Sequence, residues 1–126
     1  MKILIYGLSG SGKSTLAIEI ANKLNLPLVN GDVIRDLYSD WDFSITGREQ
    51  QAERILSIYD DNYIADFICP FEKYQSKFDV KILMNTMTSS KFPDTDSIFE
   101  YGVPDIVINS WNYKIDYIIQ NIMNLP

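Results

Sequence analysis

Five short apolar runs punctuate the chain, and the stretches between them carry apolar residues at helical spacing. Lys2–Tyr6 is apolar without alternation, the pattern of a strand buried on both faces. Lys13–Leu24 places Leu16, Ala17, Ile20, Ala21 and Leu24 on one face, which predicts a helix. Pro27 introduces a brief second strand at residues 28–29, and a short helix is expected over Gly31–Tyr38. Thr46-Gly47-Arg48-Glu49 has capping-box spacing, so a helix should begin there with Ala52, Ile55, Leu56 and Tyr59 as its core face. Residues 63–68 read as a third strand ending before Pro70, residues 71–78 as a helix, and Val80–Met84 as a fourth strand. Residues 85–104 are polar and turn-rich; a stretch of that length in a compact domain usually carries function. Ile106–Ile108 is the last strand. Trp111, Ile115, Ile118, Ile119 and Ile122 then recur at helical spacing and are expected in the core of a closing helix, whereas Trp41 has no evident role.

Short apolar strands alternating with helices predict an α/β fold in three layers, a mostly parallel five-stranded sheet between helices. Right-handed crossovers put the ligand at the carboxyl ends of such strands. The first strand leads there directly into Gly7-Leu8-Ser9-Gly10-Ser11-Gly12-Lys13-Ser14-Thr15, which fits the pattern G-x-x-x-x-G-K-[ST]. Between a buried strand and a helix N-terminus, backbone amides and the helix dipole form an anion site. The glycines allow the backbone to approach phosphate oxygens closely. The candidate cofactor-binding residues are therefore Gly7, Ser9, Gly10, Ser11, Gly12, Lys13, Ser14 and Thr15. Lys13 is expected on the β- and γ-phosphates, and the Ser14 hydroxyl on Mg²⁺. The cofactors so implied are a nucleoside triphosphate and Mg²⁺.

Composition narrows the partners. The 126 residues suffice for one domain, and 46% apolar residues suffice for a core. A net charge of −6, with 11 scattered Lys and Arg and no basic stripe, argues against a nucleic-acid surface. No apolar run reaches membrane-spanning length, and no targeting segment is expected before the first strand. The single cysteine, Cys69, excludes an intrachain disulfide and suits a reducing, cytoplasmic setting. Without histidine, an imidazole base and a histidine-ligated metal are both excluded.

Beyond the phosphate loop, several segments resemble the adenylylsulfate (APS) kinase family of P-loop kinases, in a shortened form. The family's loop reads G-L-S-G-S-G-K-S-T, as residues 7–15 do. Its D-G-D-N-[IV]-R is matched by Asn30-Gly31-Asp32-Val33-Ile34-Arg35. Its D-L-G-F-S-x-x-x-R-x-x-N-x-R-R is matched by Asp40-Trp41-Asp42-Phe43-Ser44, then Arg48, Gln51 and Arg54 at the same offsets. Its F-[IV]-S-P-[FY]-R is matched by Phe67-Ile68-Cys69-Pro70-Phe71-Glu72. The similarity covers roughly the first 75 residues and fades after Phe78.

The resemblance implies one P-loop kinase-like domain over residues 1–126 with a reduced lid. It also implies ATP as donor, Mg²⁺, and transfer of the γ-phosphoryl to the 3′-hydroxyl of adenylyl sulfate. Lys13 and Asp32 would be catalytic, with Ser14 and Asp32 toward the metal and Asp32 orienting the acceptor hydroxyl. Acceptor binding would fall to Asp32, Arg35, Phe43, Arg48, Gln51, Ile68 and Cys69, with Phe43 stacking on the acceptor base. A solvated surface remains open for Arg35 and Arg48, as does a hydrophobic plug for Phe43; Arg54 is expected to pair with nearby carboxylates. Asp66 stands near a strand end where other phosphate-loop enzymes carry a Mg²⁺-linked Asp. Cys69 reads most simply as a small apolar residue at a strand end. Asp94, Thr95 and Asp96 read as a turn by default.

Three departures bear on the acceptor. Val33 and Gln51 replace asparagines, and Glu72 replaces an arginine, inverting a charge where an acceptor anion is expected. Lys91 is the only cation in residues 85–104, where a basic lid would lie. Another small hydroxyl acceptor such as a nucleoside or nucleotide, or a nucleotide-binding module with little catalysis, therefore stays open beside adenylyl sulfate. The partner expected is a small molecule, and the sequence leaves room for a homodimer.

Overall fold

The computed structural model describes all residues 1–126. Its elements run β1 (Lys2–Tyr6), α1 (Lys13–Leu24), β2 (Leu28–Asn30), α2 (Gly31–Tyr38), α3 (Ile45–Ile58), β3 (Tyr63–Asp66), α4 (Glu72–Gln75), β4 (Val80–Met84), α5 (Pro93–Ile98), β5 (Ile106–Ile108) and α6 (Ile115–Met123). The five strands form one sheet in the order β2-β3-β1-β4-β5, and every pairing is parallel. The expectation of a mostly parallel sheet thus resolves to a wholly parallel one.

The unbroken apolar runs follow from burial on both faces. Successive strand residues point to opposite sides. Leu4 and Tyr6 of β1 accordingly join a core with Val29, Ala65, Ala52 and Ile55, under α2 and α3. Ile3 and Ile5 join a second core with Leu16, Ala17 and Ile20 of α1 and Ile118 and Ile122 of α6. The result is the three-layer P-loop NTPase α/β fold. Strand order reverses at β1, between β3 and β4, so its carboxyl end opens into the crevice that such sheets use for ligands.

Local differences from the sequence reading have identifiable causes. The third helix starts two residues earlier than its capping-box spacing suggests: Ser44, not Thr46, is the N-cap, its side chain accepting from the Gly47 N–H at 3.1 Å. The third strand ends at Asp66 because Cys69 takes a left-handed φ of 46° just before Pro70, turning the chain away. The helix expected over 71–78 shortens to Glu72–Gln75, and Phe78 closes it with a tighter turn onto Gln75. Asp94, Thr95 and Asp96 belong to the helix α5 rather than to a plain turn. Pro93 supplies its first position, where a missing N–H costs nothing. Trp111 lies before α6 and is 58% exposed, so it is not a core residue of that helix.

Candidate functional site

The phosphate loop is a turn that only its glycines permit. Gly12 caps α1 at φ 97°, and a Cβ there would meet the Trp111 indole nitrogen at 2.6 Å. A side chain at this position would therefore strain the backbone and collide with the ring. Ser9, Gly10, Gly12, Lys13, Ser14 and Thr15 line the main cavity of the molecule. Gly7 and Ser11, also expected among the binding residues, are not among the residues lining it. Gly7 packs against the Met84 carbonyl, and Ser11 is fully buried. The Ser11 carbonyl accepts from Thr86 Oγ1 and from Trp111 Nε1, each at 2.7 Å, so these two side chains brace the loop from outside.

Two carboxylates, Asp66 and Asp32, gather around Lys13 at the loop's mouth. Lys13 donates from Nζ to the Leu8 carbonyl at 3.0 Å. Burial lowers its pKa, opposed by the nearby carboxylates of Asp66 and Asp32. Asp66, at the end of β3, is 2% exposed and its pKa is raised, chiefly by that burial. The Asn30 amide donates to it at 2.8 Å and to the Ser14 hydroxyl at 3.4 Å. Asp32 is exposed in the first turn of α2 and lines the cavity.

These residues fit a Mg²⁺ ion. Ser14, Asp66 and Asp32 offer hard oxygen donors only, and no group of three or more His, Cys, Asp or Glu converges anywhere in the chain. Few protein ligands, with the rest left to water and phosphate, is the habit of Mg²⁺ rather than of zinc or calcium.

The far wall of the cavity is cationic and aromatic. Arg35 of α2 and Arg48 of α3 are each only 6% exposed, so neither is a solvated surface residue. Arg35 donates from Nη1 to the carbonyls of Asp40 and Asp42 at 3.0 and 3.2 Å. Arg48 donates from Nε to the Phe43 carbonyl at 2.8 Å. Both guanidinium groups lie against the Phe43 ring, at 4.4 and 5.4 Å from its centroid. That is cation–π distance, and it makes half-exposed Phe43 a platform for the arginines rather than a plug. Burial lowers the pKa of both arginines, yet a guanidinium stays charged in any ordinary range. Neither forms an ion pair within the chain, unlike Arg54, which pairs with Asp40 at 2.9 Å as expected.

Gln51 donates from Nε2 to the Gly31 carbonyl at 2.8 Å, which fixes its amide orientation and leaves buried Oε1 without a partner. Gly31 permits this close approach, since a Cβ there would meet the Phe67 Cβ at 2.6 Å. Ile68 and buried Cys69 complete the wall; burial pushes the Cys69 thiol well up, away from reactivity.

The cavity thus joins every expected site residue except Gly7 and Ser11. It also holds Asn30, Gly31, Phe67 and Pro70, which lie in the matched segments but were not among the candidate site residues. Asn30 is the N-cap of α2, accepting from the Val33 N–H at 3.1 Å while its amide reaches Asp66; a cap residue at a strand end was the available signal. Of the three departures from the family pattern, only Gln51 faces the cavity. Val33 is 62% exposed and Glu72 is exposed on α4, its N–H donating to the Glu100 carboxylate, so neither lines the cavity. The inverted charge at Glu72 thus lies outside the cavity lining, two residues beyond Pro70, which is part of it.

Comparisons with known proteins agree with this architecture. Residues 6–65 match a family described as AAA domain. No curated protein sequence matches the chain. Among solved structures, the Mycobacterium tuberculosis APS kinase in complex with AMPPNP and APS superposes with a TM-score of 0.70 at 19% identity, covering 98% of this chain and 95% of that one. The Acinetobacter baumannii shikimate kinase in complex with shikimate gives 0.67 at 13% identity, covering 97% and 90%. A Sinorhizobium meliloti gluconokinase gives 0.60 at 17% identity, covering 95% and 87%. At these identities the likeness is one of fold.

Proposed function

We propose that residues 1–126 act as one P-loop kinase-like domain, an ATP-dependent small-molecule kinase of the APS kinase type. The observation that supports it most is a single cavity with a phosphate loop on one wall and two buried, unpaired arginines on the other. The γ-phosphoryl of ATP passes to the 3′-hydroxyl of adenylyl sulfate: the P–O bond to ADP breaks, a P–O bond to the acceptor oxygen forms, and the hydroxyl proton is released to water. Phosphoryl transfer asks for positioning and charge neutralisation more than covalent chemistry. Lys13 and the loop amides hold the phosphates, and Asp32 orients the acceptor hydroxyl from the cavity edge. Ser14, Asp32 and Asp66 are the residues that would hold Mg²⁺, which when bound supplies charge neutralisation at the phosphates. Arg35 and Arg48 bind the acceptor's anion, a task suited to guanidinium forks.

A second acceptor class is favoured by one observation. The Arg35 guanidinium sits 4.4 Å from the Phe43 centroid, over a ring that would otherwise stack on an acceptor base. An anionic hydroxyl compound without a base fits that arrangement. A coupled ADP-release assay over adenylyl sulfate, nucleosides, nucleotides and small hydroxy acids separates the readings. Adenylyl sulfate-dependent turnover upholds the first, turnover only with a small hydroxy acid upholds the second, turnover only with a nucleoside or nucleotide overturns both acceptors while keeping the kinase, and ATP binding without any acceptor-stimulated turnover overturns both in favour of a binding module.

A further inference from the structure

Residues 85–104, which the family resemblance does not reach, touch the cationic wall at one buried point. Thr95 of α5 is 3% exposed, and its Oγ1 accepts from Arg48 Nη2 at 2.9 Å. With Nε committed to the Phe43 carbonyl, two of the five N–H donors of this guanidinium are fixed, and its plane with them. Both partners are neutral, so the positive charge is oriented without being cancelled.

Thr95 is itself firmly placed. Ser90, ahead of α5, donates its N–H and hydroxyl to the carboxylate of Asp96 within the helix, each at 2.7 Å. After it, the Glu100 N–H donates to the Pro70 carbonyl at 2.8 Å. The Gln75 amide donates to the Glu100 carbonyl at 2.7 Å, and the Tyr6 hydroxyl donates to the Tyr101 carbonyl at 2.6 Å. The segment is thereby tied to the exit of β3, the stretch that also supplies Ile68 and Cys69 to the cavity.

We propose that Thr95 is a positioning residue for anion recognition: it orients Arg48 so that Arg48 and Arg35 together receive an oxyanion of the acceptor, making residues 85–104 a determinant of acceptor choice. This rests on the kinase reading only for calling the ligand an acceptor. The test uses ¹⁵N-labelled protein with AMP-PNP filling the phosphate loop, titrated with inorganic sulfate while the Nε–Hε signals of Arg35 and Arg48 are followed. Both signals should shift saturably. Thr95→Val should raise the sulfate dissociation constant roughly tenfold, the scale of losing a hydrogen bond to a charged group. Thr95→Ser, which keeps the hydroxyl, should restore most of the affinity, a rescue that a purely space-filling Thr95 would not show. Should Thr95→Val lose its amide dispersion, Thr95→Ser against Thr95→Ala carries the same comparison. Equal sulfate affinity with and without the hydroxyl, or no response at either arginine, overturns the proposal. Phosphate-loop amides read the donor site independently: if AMP-PNP leaves them unmoved while the arginines respond to sulfate, the kinase reading fails and the anion site stands.

Discussion

The two walls of the cavity are built in opposite ways. The loop wall comes from one short stretch, Ser9, Gly10 and Gly12–Thr15, which in the proposed kinase holds the donor largely through backbone amides at the start of α1. The opposite wall, proposed to take the acceptor, comes from α2, the turn before α3, α3 itself, the exit of β3 and, through Thr95, the 85–104 segment. Backbone recognition tolerates much side-chain change as long as the turn survives. Side-chain recognition depends on each residue and on what orients it. One fold can therefore keep its donor while its acceptor changes, and the structural neighbours named APS kinase, shikimate kinase and gluconokinase share this chain's architecture.

The contrast predicts distinct failures for the two walls. Lys13→Ala removes the one side-chain cation of the donor wall and should lower kcat by about 10²–10³-fold, as losing a preorganised charge stabiliser does. Wild-type turnover in that variant would break the assignment of the donor wall. Arg48→Lys keeps the charge but loses the fork and the Thr95 and Phe43 geometry. It should raise the acceptor KM roughly tenfold and leave the ATP KM alone; a rise in the ATP KM instead would show that the walls are not separate.

A gentler probe concerns pH. Burial raises the Asp66 pKa in the folded state, so the folded form holds that proton more tightly than the unfolded one. The group's unfavourable contribution is absent below the ordinary carboxylate range and grows as pH rises through the higher folded value. Urea midpoints measured across that window should fall for the wild type and flatten for Asp66→Asn. Identical slopes would remove Asp66 as a strained, site-serving carboxylate. The smallest expected effect tests how α3 presents Arg48: Ser44→Ala should cost about 1 kcal/mol of stability through the lost cap, while Thr46→Ala stays near neutral. The reverse order would restore the capping-box start.

What was legible in the sequence follows the same division. The strands, α1 and the phosphate loop were readable because apolar runs, helical periodicity and a contiguous motif are local signals. Arg35, Arg48 and Gln51 were readable only through family spacing, and their burial was not, since an arginine reads as a surface residue until the fold encloses it. Trp111 misled for a related reason. Its spacing fits α6, yet its indole bonds the Ser11 carbonyl, a partner a hundred residues away. The helix α5 was hidden because Asp94, Thr95, Asp96 and Ser97 are turn formers, and its fixing contacts are to Ser90 and Arg48. Thr95's place beside Arg48 is a tertiary fact with no local trace.

The most direct measurement is a ³¹P NMR time course of ATP, Mg²⁺ and adenylyl sulfate with the wild-type protein. The account predicts ADP growing in step with a new phosphomonoester signal, at a rate that depends on adenylyl sulfate. Growth of ADP and inorganic phosphate alone, or no change with adenylyl sulfate present, would contradict it.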